Sequence, residues 1–301
     1  MTFLEQLEPL AFTASDNVTL RGWQTPLSGK PIIYFRHANG FSSLCYEPML
    51  KLLAPHYDLV MMDTQGHGNS DKGDSISWQQ CAIHSVEHIE ASYSQWNSQW
   101  QGEGNIPLYG LGHSFGAIMT LLTVGHRPQL FTRTILLDPV MFSPFMLLLN
   151  RLMHQLGQSK HNPMFSQALK RRSSWPNRQS AFEALRNRGI YKGWDDACLR
   201  AYTDHCLAED EQGAQLKCLP ETEAYFFLAK TGPLWPSAKK VATPMTLIVG
   251  EKTYPFVRAT AAKAARQYAP IDRLVVEGGH CFMQEHPTET AELILKLLSQ
   301  G

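Results

Sequence analysis

Gly112-His113-Ser114-Phe115-Gly116 decides how this chain is read. An apolar, strand-like run precedes it (residues 106–111) and a helix-like run follows (residues 117–124). A serine on a sharp strand-to-helix turn needs glycine two residues away on each side, because Cβ atoms there collide as the backbone folds back. The turn lifts the hydroxyl above the sheet. The N–H groups and dipole of the helix that starts beside it favour negative charge at that point. Such a turn suits a nucleophile.

Working outward, strand-like and helix-like segments alternate. Two β-like runs open the chain (10–13 and 18–23), followed by the continuous apolar run Pro31-Ile32-Ile33-Tyr34-Phe35. Runs of this kind, apolar on both faces, belong in parallel sheets. A helix is expected over 43–54, a buried strand over 57–62 and a strand over 133–138. Another strand–helix–strand–helix series is expected over 244–249, 257–268, 273–277 and 288–298. Trp78, Ala82, Val86, Ile89, Tyr93, Trp96 and Trp100 step by three or four residues. That spacing predicts a long helix with one apolar stripe against the sheet. The expected fold is α/β: a mostly parallel central sheet with helices on both faces.

The alternation stops after Pro139. From 141 to 235 the sequence reads as helices and loops with no obvious buried strand. Residues 1–140 and 236–301 are therefore expected to form one core, and 141–235 an inserted, mainly helical cap. Charge in the insertion is segregated: nine bases against Glu183 alone from 151 to 192, then eight acids against two bases from 193 to 223. Opposite halves packing together explains this simply; an arginine patch steering an anionic substrate is the sharper reading.

Composition narrows the classes. The 301 residues are 44% hydrophobic and 18% charged, with formal net charge zero, so the basic field of a nucleic-acid binder is missing. Cys45, Cys81, Cys198, Cys206, Cys218 and Cys281 form no C-x-x-C pair, so neither a disulfide framework nor a metal site is expected. No run is long and apolar enough for a membrane span, and acids stand near the N-terminus where a signal peptide needs bases. A cytoplasmic location is the expectation, without cofactor.

Serine needs a base within reach. His280, in Gly278-Gly279-His280, follows the last expected strand. In a parallel sheet that strand ends on the same edge as the Ser114 turn. With Ser114 and His280 go His37-Ala38-Asn39-Gly40 after the third strand and Asp63-x-x-Gly66-x-Gly68-x-Ser70 after the fourth. In these motifs the chain resembles the α/β-hydrolase superfamily over almost its whole length. The resemblance implies a helical cap at the insertion and an oxyanion hole made by the backbone N–H groups of Phe115 and Asn39; a shift of register would make the second donor Phe41. It also implies that Asp63 and His67 fix loops.

The resemblance breaks at the triad acid. Most members carry an aspartate three residues after the glycine that follows the seventh strand, but here that position is Thr253, in Gly250-Glu251-Lys252-Thr253. Some members carry the acid directly after the sixth strand, where this chain has Asp138. Asp138 is the expected acid, Glu251 its rival, and an Asp-Pro turn ordering the start of the insertion explains Asp138 without catalysis. The implied activity is a serine hydrolase cleaving carboxylic esters with an apolar acyl or alcohol part. A carbon–carbon bond hydrolase using the same triad, and a non-catalytic ligand-binding or scaffolding protein, are the alternatives.

Overall fold

The computed structural model describes residues 2–158 and 162–299. Its strands are β1 (Glu8–Thr13), β2 (Thr19–Gln24), β3 (Ile32–Arg36), β4 (Asp58–Met62), β5 (Leu108–His113), β6 (Arg133–Leu137), β7 (Ser174–Trp175), β8 (Leu207–Asp210), β9 (Gly213–Leu216), β10 (Met245–Gly250) and β11 (Ile271–Val276). Eight of them form one sheet in the order β1-β2-β4-β3-β5-β6-β10-β11. From β4 to β11 neighbouring strands run parallel; β2 is antiparallel to both β1 and β4.

The continuous apolar runs became the middle of the sheet: every residue of β3, β4 and β5 is buried. Alternate side chains divide between two faces. Ile32, Tyr34, Val60 and Met62 pack with the long helix Trp78–Gln99, whose stripe Trp78, Ala82, Ile89 and Trp96 is buried as its spacing predicts. Ile33, Phe35, Leu59 and Met61 pack on the other face with Met49, Leu50 and Ile294. The helix expected over 43–54 is instead a 3-10 turn, Ser43–Tyr46, leading into the helix Glu47–Leu53. Pro48 explains the change, since it has no N–H to donate and suits a first helical turn.

Between β6 and β10 lie the helices Pro144–Gln155, Pro163–Leu169, Arg178–Leu185, Asp196–His205, Pro220–Leu228 and Leu234–Lys239. The expected boundary at 235/236 falls inside the last of these, whose Leu234 and Ala238 are buried in the core. The reading of this stretch as helix and loop also missed a three-stranded antiparallel sheet, β7-β9-β8. Its strands have only two or four residues and β8 is mostly exposed, so they show no buried-strand run. Trp175, Tyr191, Trp194 and Tyr202 of the insertion share one apolar cluster with Phe35, Tyr46 and Met49. Among the described residues, no helix is long and apolar enough to cross a membrane.

Candidate active site

Ser114 stands between β5 and the helix Phe115–His126 with φ 54° and ψ −113°, a conformation that non-glycine residues rarely adopt. Its own N–H donates to the Leu137 carbonyl at 2.9 Å, fixing the turn to the end of β6. Both flanking glycines are required by close approach. A Cβ on Gly112 would lie 2.5 Å from the Gly116 carbonyl oxygen, and one on Gly116 2.3 Å from that of Arg36.

The ends of β5, β6, β10 and β11 bring the remaining groups together. His280 Nε2 lies 2.9 Å from Ser114 Oγ, and its Nδ1 lies 2.6 Å from Asp138 Oδ2. Asp138 is fully buried with φ 43°, and its N–H donates to the Ile248 carbonyl at 2.7 Å. Two donors from the β10 end complete its shell: the Gly250 N–H reaches Oδ1 at 2.9 Å, and the Thr253 hydroxyl donates to Oδ2. Thr253 is thus a site residue that sequence reasoning treated only as a missing acid. The signal was present: a hydroxyl donor at that position complements an acid on the neighbouring strand. Glu251 lies apart, exposed, with its carboxylate 3.4 Å from Lys252 Nζ.

The turn after β3 holds Asn39. Around it the Ala38 N–H donates to the Tyr46 hydroxyl (3.2 Å), the Gly40 N–H to His67 Nε2 (2.9 Å) and the Phe41 N–H to the Ala38 carbonyl (3.2 Å). The Asn39 N–H alone among these four has no acceptor among the described residues. Phe115 begins its helix, where first-turn N–H groups have no intrahelical acceptor. The register that makes Phe41 the donor therefore has its N–H already engaged.

Three buried histidines hold this edge together as neutral rings. His37 Nε2 accepts the Thr64 N–H at 2.9 Å, and its Nδ1 faces the Ala38 carbonyl at 2.8 Å. His67 accepts from Gly40, with its Nδ1 3.0 Å from the Gln65 carbonyl. Burial pushes both down to about 3. His113 Nδ1 accepts the Tyr46 hydroxyl proton at 2.6 Å, and its Nε2–H donates to the His280 carbonyl at 3.0 Å. Burial, then repulsion from His280, holds it well below the ordinary histidine value. A path of hydrogen bonds thus runs from Ala38 through Tyr46 and His113 to His280. Asp63 accepts the Ser43 N–H at 2.7 Å, in the loop-fixing position the resemblance implies.

Ser114 and His280 open into a cavity of about 530 Å³ whose inner wall includes Trp78, Phe115, Phe142, Met164 and Phe256. Phe142 stacks between Trp78 and Phe256, both centroids 5.9 Å away. The apolar run of 140–153 is therefore divided: Val140 and Phe142 line this cavity, whereas Phe145, Leu148, Leu149 and Leu152 are exposed. The insertion grips the Asn39 turn residue by residue. Asn39 Nδ2 donates to the Glu223 carbonyl at 3.0 Å, and a Cβ on Gly40 would lie 2.7 Å from Glu223 Cδ. Phe41 packs edge-on against Trp194 and Tyr202, and the Ser42 N–H reaches Cys206 Sγ at 3.2 Å. Behind Gly40, the Glu223 carboxylate pairs with Arg171, whose other N–H groups meet the Tyr191 and Tyr202 hydroxyls. Among the described residues, no group of three His, Cys, Asp or Glu side chains is arranged to hold a metal ion.

Comparison with known proteins agrees with this fold. Type I acyl-CoA thioesterase mpaH of Penicillium roqueforti is 31% identical over 204 residues, and its counterpart mpaH' of Penicillium brevicompactum 35% over 194. Each match covers 63% of this chain and 38% of the relative, so this chain spans well under half the relatives' length. Among solved structures, the thioesterase domain from the curacin biosynthetic pathway superposes with a TM-score of 0.74 at 17% identity, covering 96% of this chain and 99% of that one. E-2-(acetamidomethylene)succinate hydrolase superposes at 0.72 and 18%, covering 97% and 100%. At such identities the likeness speaks for the fold. The sequence profile of the alpha/beta hydrolase family matches residues 33–293, so the chain is a member of that family and carries its fold.

Proposed function

We propose that this protein is a serine hydrolase that cleaves acyl esters, thioesters included, through an acyl-enzyme. The observation that carries the reading is the unbroken row of hydrogen bonds from Ser114 through His280 to Asp138, opening into an apolar cavity. In this mechanism Ser114 Oγ attacks the acyl carbonyl as His280 Nε2 takes its proton. Asp138 holds Nδ1–H in place and stabilises the imidazolium that forms. The Phe115 and Asn39 N–H groups receive the oxyanion, each such donor contributing about 3–4 kcal/mol to the transition state. His280 then protonates the departing thiol or alcohol, and water activated by the same ring releases the acid.

Thr253, which stands where most family members carry the acid, has a place in this scheme as a donor to Asp138. The thioesterase names of the relatives favour thioesters within the acyl-ester class. Incubation with a fluorophosphonate, together with a panel of p-nitrophenyl esters and acyl thioesters, tests the proposal. Wild type is expected to be labelled at Ser114 and to turn over part of the panel, and Ser114→Ala to do neither. A folded wild type that resists the label and hydrolyses nothing sinks the reading.

A further inference from the structure

The segregated charge of the insertion has a structural outcome. Of the nine bases between 151 and 192, Lys160 lies outside the described residues. Arg171 pairs with Glu223, Arg178 with Glu209 and Arg186 with Asp196. Arg172 and Arg188 meet no carboxylate among the described residues, and both line the Ser114 cavity. Arg172 is held in place, its Nε donating to the Ser174 carbonyl at 2.8 Å and its guanidinium lying 5.3 Å from the Trp175 ring centre.

A second cavity, of about 600 Å³, adjoins the first and shares Phe227 with it. Arg151 and Lys230 line it, again without a carboxylate partner among the described residues, beside the amides Asn150 and Asn162 and the hydroxyl of Thr231. Across both linings, among the described residues, the one carboxylate is Glu223, which Arg171 already neutralises. Four cations without a carboxylate partner therefore face two neighbouring cavities that share Phe227, with no unpaired acid in either wall among the described residues.

We infer that the Arg151–Lys230 cavity and the mouth arginines Arg172 and Arg188 bind the phosphorylated part of a carrier thiol, whose acyl end reaches Ser114. The orientation rests on the acyl-hydrolase reading. Several cations spread over two cavities match a ligand with several charges, and a phosphate accepts forked hydrogen bonds from arginine. A carboxylate on the acyl group fits less well. It would have to enter the wall of Trp78, Phe142 and Phe256, where the half-buried cation nearby, Arg171, already has its acid and two tyrosine hydroxyls. The exposed cations leave phosphates partly solvated, which avoids the desolvation cost of burying them. On hydrolysis the acyl–sulfur bond breaks, water supplies the acid's hydroxyl, and the proton goes to the carrier thiol.

Titration calorimetry of the full chain with coenzyme A, and with pantetheine, which has the same thiol without phosphates, tests the inference. Coenzyme A is expected to bind at least about tenfold more tightly at low salt, with a gap that narrows as salt is raised. Arg151→Met, Arg172→Met, Arg188→Met and Lys230→Met keep the apolar stems. Each should lower coenzyme A affinity by about three- to tenfold and leave pantetheine binding in place, which also reports an intact cavity. Lys192→Met, on a base that lines neither cavity, should leave the gap as it is. Equal affinity for the two ligands, or a gap that none of the four variants moves, overturns the inference. So does a preference for succinyl- over butyryl-N-acetylcysteamine that the variants abolish while the two thiols bind alike, because the cations then read an acyl carboxylate. Binding needs no chemistry at Ser114. A chain that shows the gap but hydrolyses nothing keeps this site and loses the hydrolase reading, and the reverse result separates them the other way.

Discussion

In the proposed triad, Thr253 and Asp138 exchange the usual places of an acid and its support. The carboxylate sits on the β6 end and takes hydrogen bonds from the Gly250 N–H and the Thr253 hydroxyl at the β10 end. Asp138→Asn preserves the shape but presents an amide to His280 Nδ1, so kcat should fall by about three to four powers of ten. Glu251→Gln, on an exposed side chain paired with Lys252, should stay within about twofold of wild type, as an exposed pair contributes little. Thr253→Val removes one donor to the carboxylate. It is expected to cost about 1 kcal/mol of stability, read by urea unfolding. Steady-state kinetics on the other two variants checks their rates, and equal activity in the Asn and Gln variants would remove Asp138 from the proposed triad. Ser114 and His280 were legible because glycine spacing and position at a strand end are local features. Thr253's hydrogen bond was not, because its partner is 115 residues away and only the β6–β10 pairing brings them together.

At the scale of elements, the insertion holds the turn that carries Asn39. Asn39 through Ser42 each touch an insertion residue, and the Arg171–Glu223 pair, largely buried, seals the contact behind Gly40. Glu223→Ala leaves the Arg171 charge without a partner, and breaking a buried pair this way costs about 3–5 kcal/mol. The double variant Arg171→Met, Glu223→Leu removes both charges and should recover most of that stability. It should not recover kcat, expected to remain about tenfold or more below wild type with KM nearly unchanged, since the loss falls on transition-state stabilisation. Thermal unfolding measured beside kcat and KM separates the two effects; a double variant with wild-type kcat would leave the grip a packing contact only. The sheet was readable from periodicity because its strands are buried on both faces. The insertion was less so: its short strands lack a long apolar run, and its contacts with the Asn39 turn span more than 150 residues of sequence.

For the whole molecule, the consequence of packing so many histidines inside is acid sensitivity. His37 and His67 have pKa values of about 3 in the fold, and His88 about 4, each lowered chiefly by burial. In the unfolded chain they titrate near 6.5, so between roughly pH 6.5 and 3 the unfolded state binds more protons than the native state. Stability therefore falls as pH drops through this window, by up to about 1.4 kcal/mol per pH unit for each such ring, and the loss levels off below the folded values. Asp63 works in the opposite sense, because burial raises its pKa and the native state keeps that proton to higher pH. Asp204 is raised by burial as well, and two such carboxylates against several lowered histidines leave the slope in the histidines' direction. Urea unfolding at half-unit steps from pH 7 to pH 4.5 should show stability declining from about pH 6.5 downward. His67→Gln is expected to lower stability at pH 7, where the Gly40 N–H loses its ring acceptor, yet to give a shallower decline toward pH 4.5 than wild type. A flat profile in wild type, or an unchanged slope in the variant, would mean that these rings are protonated inside the fold. In that case His67 Nε2 could not accept the Gly40 N–H, and the turn presenting Asn39 would need another support.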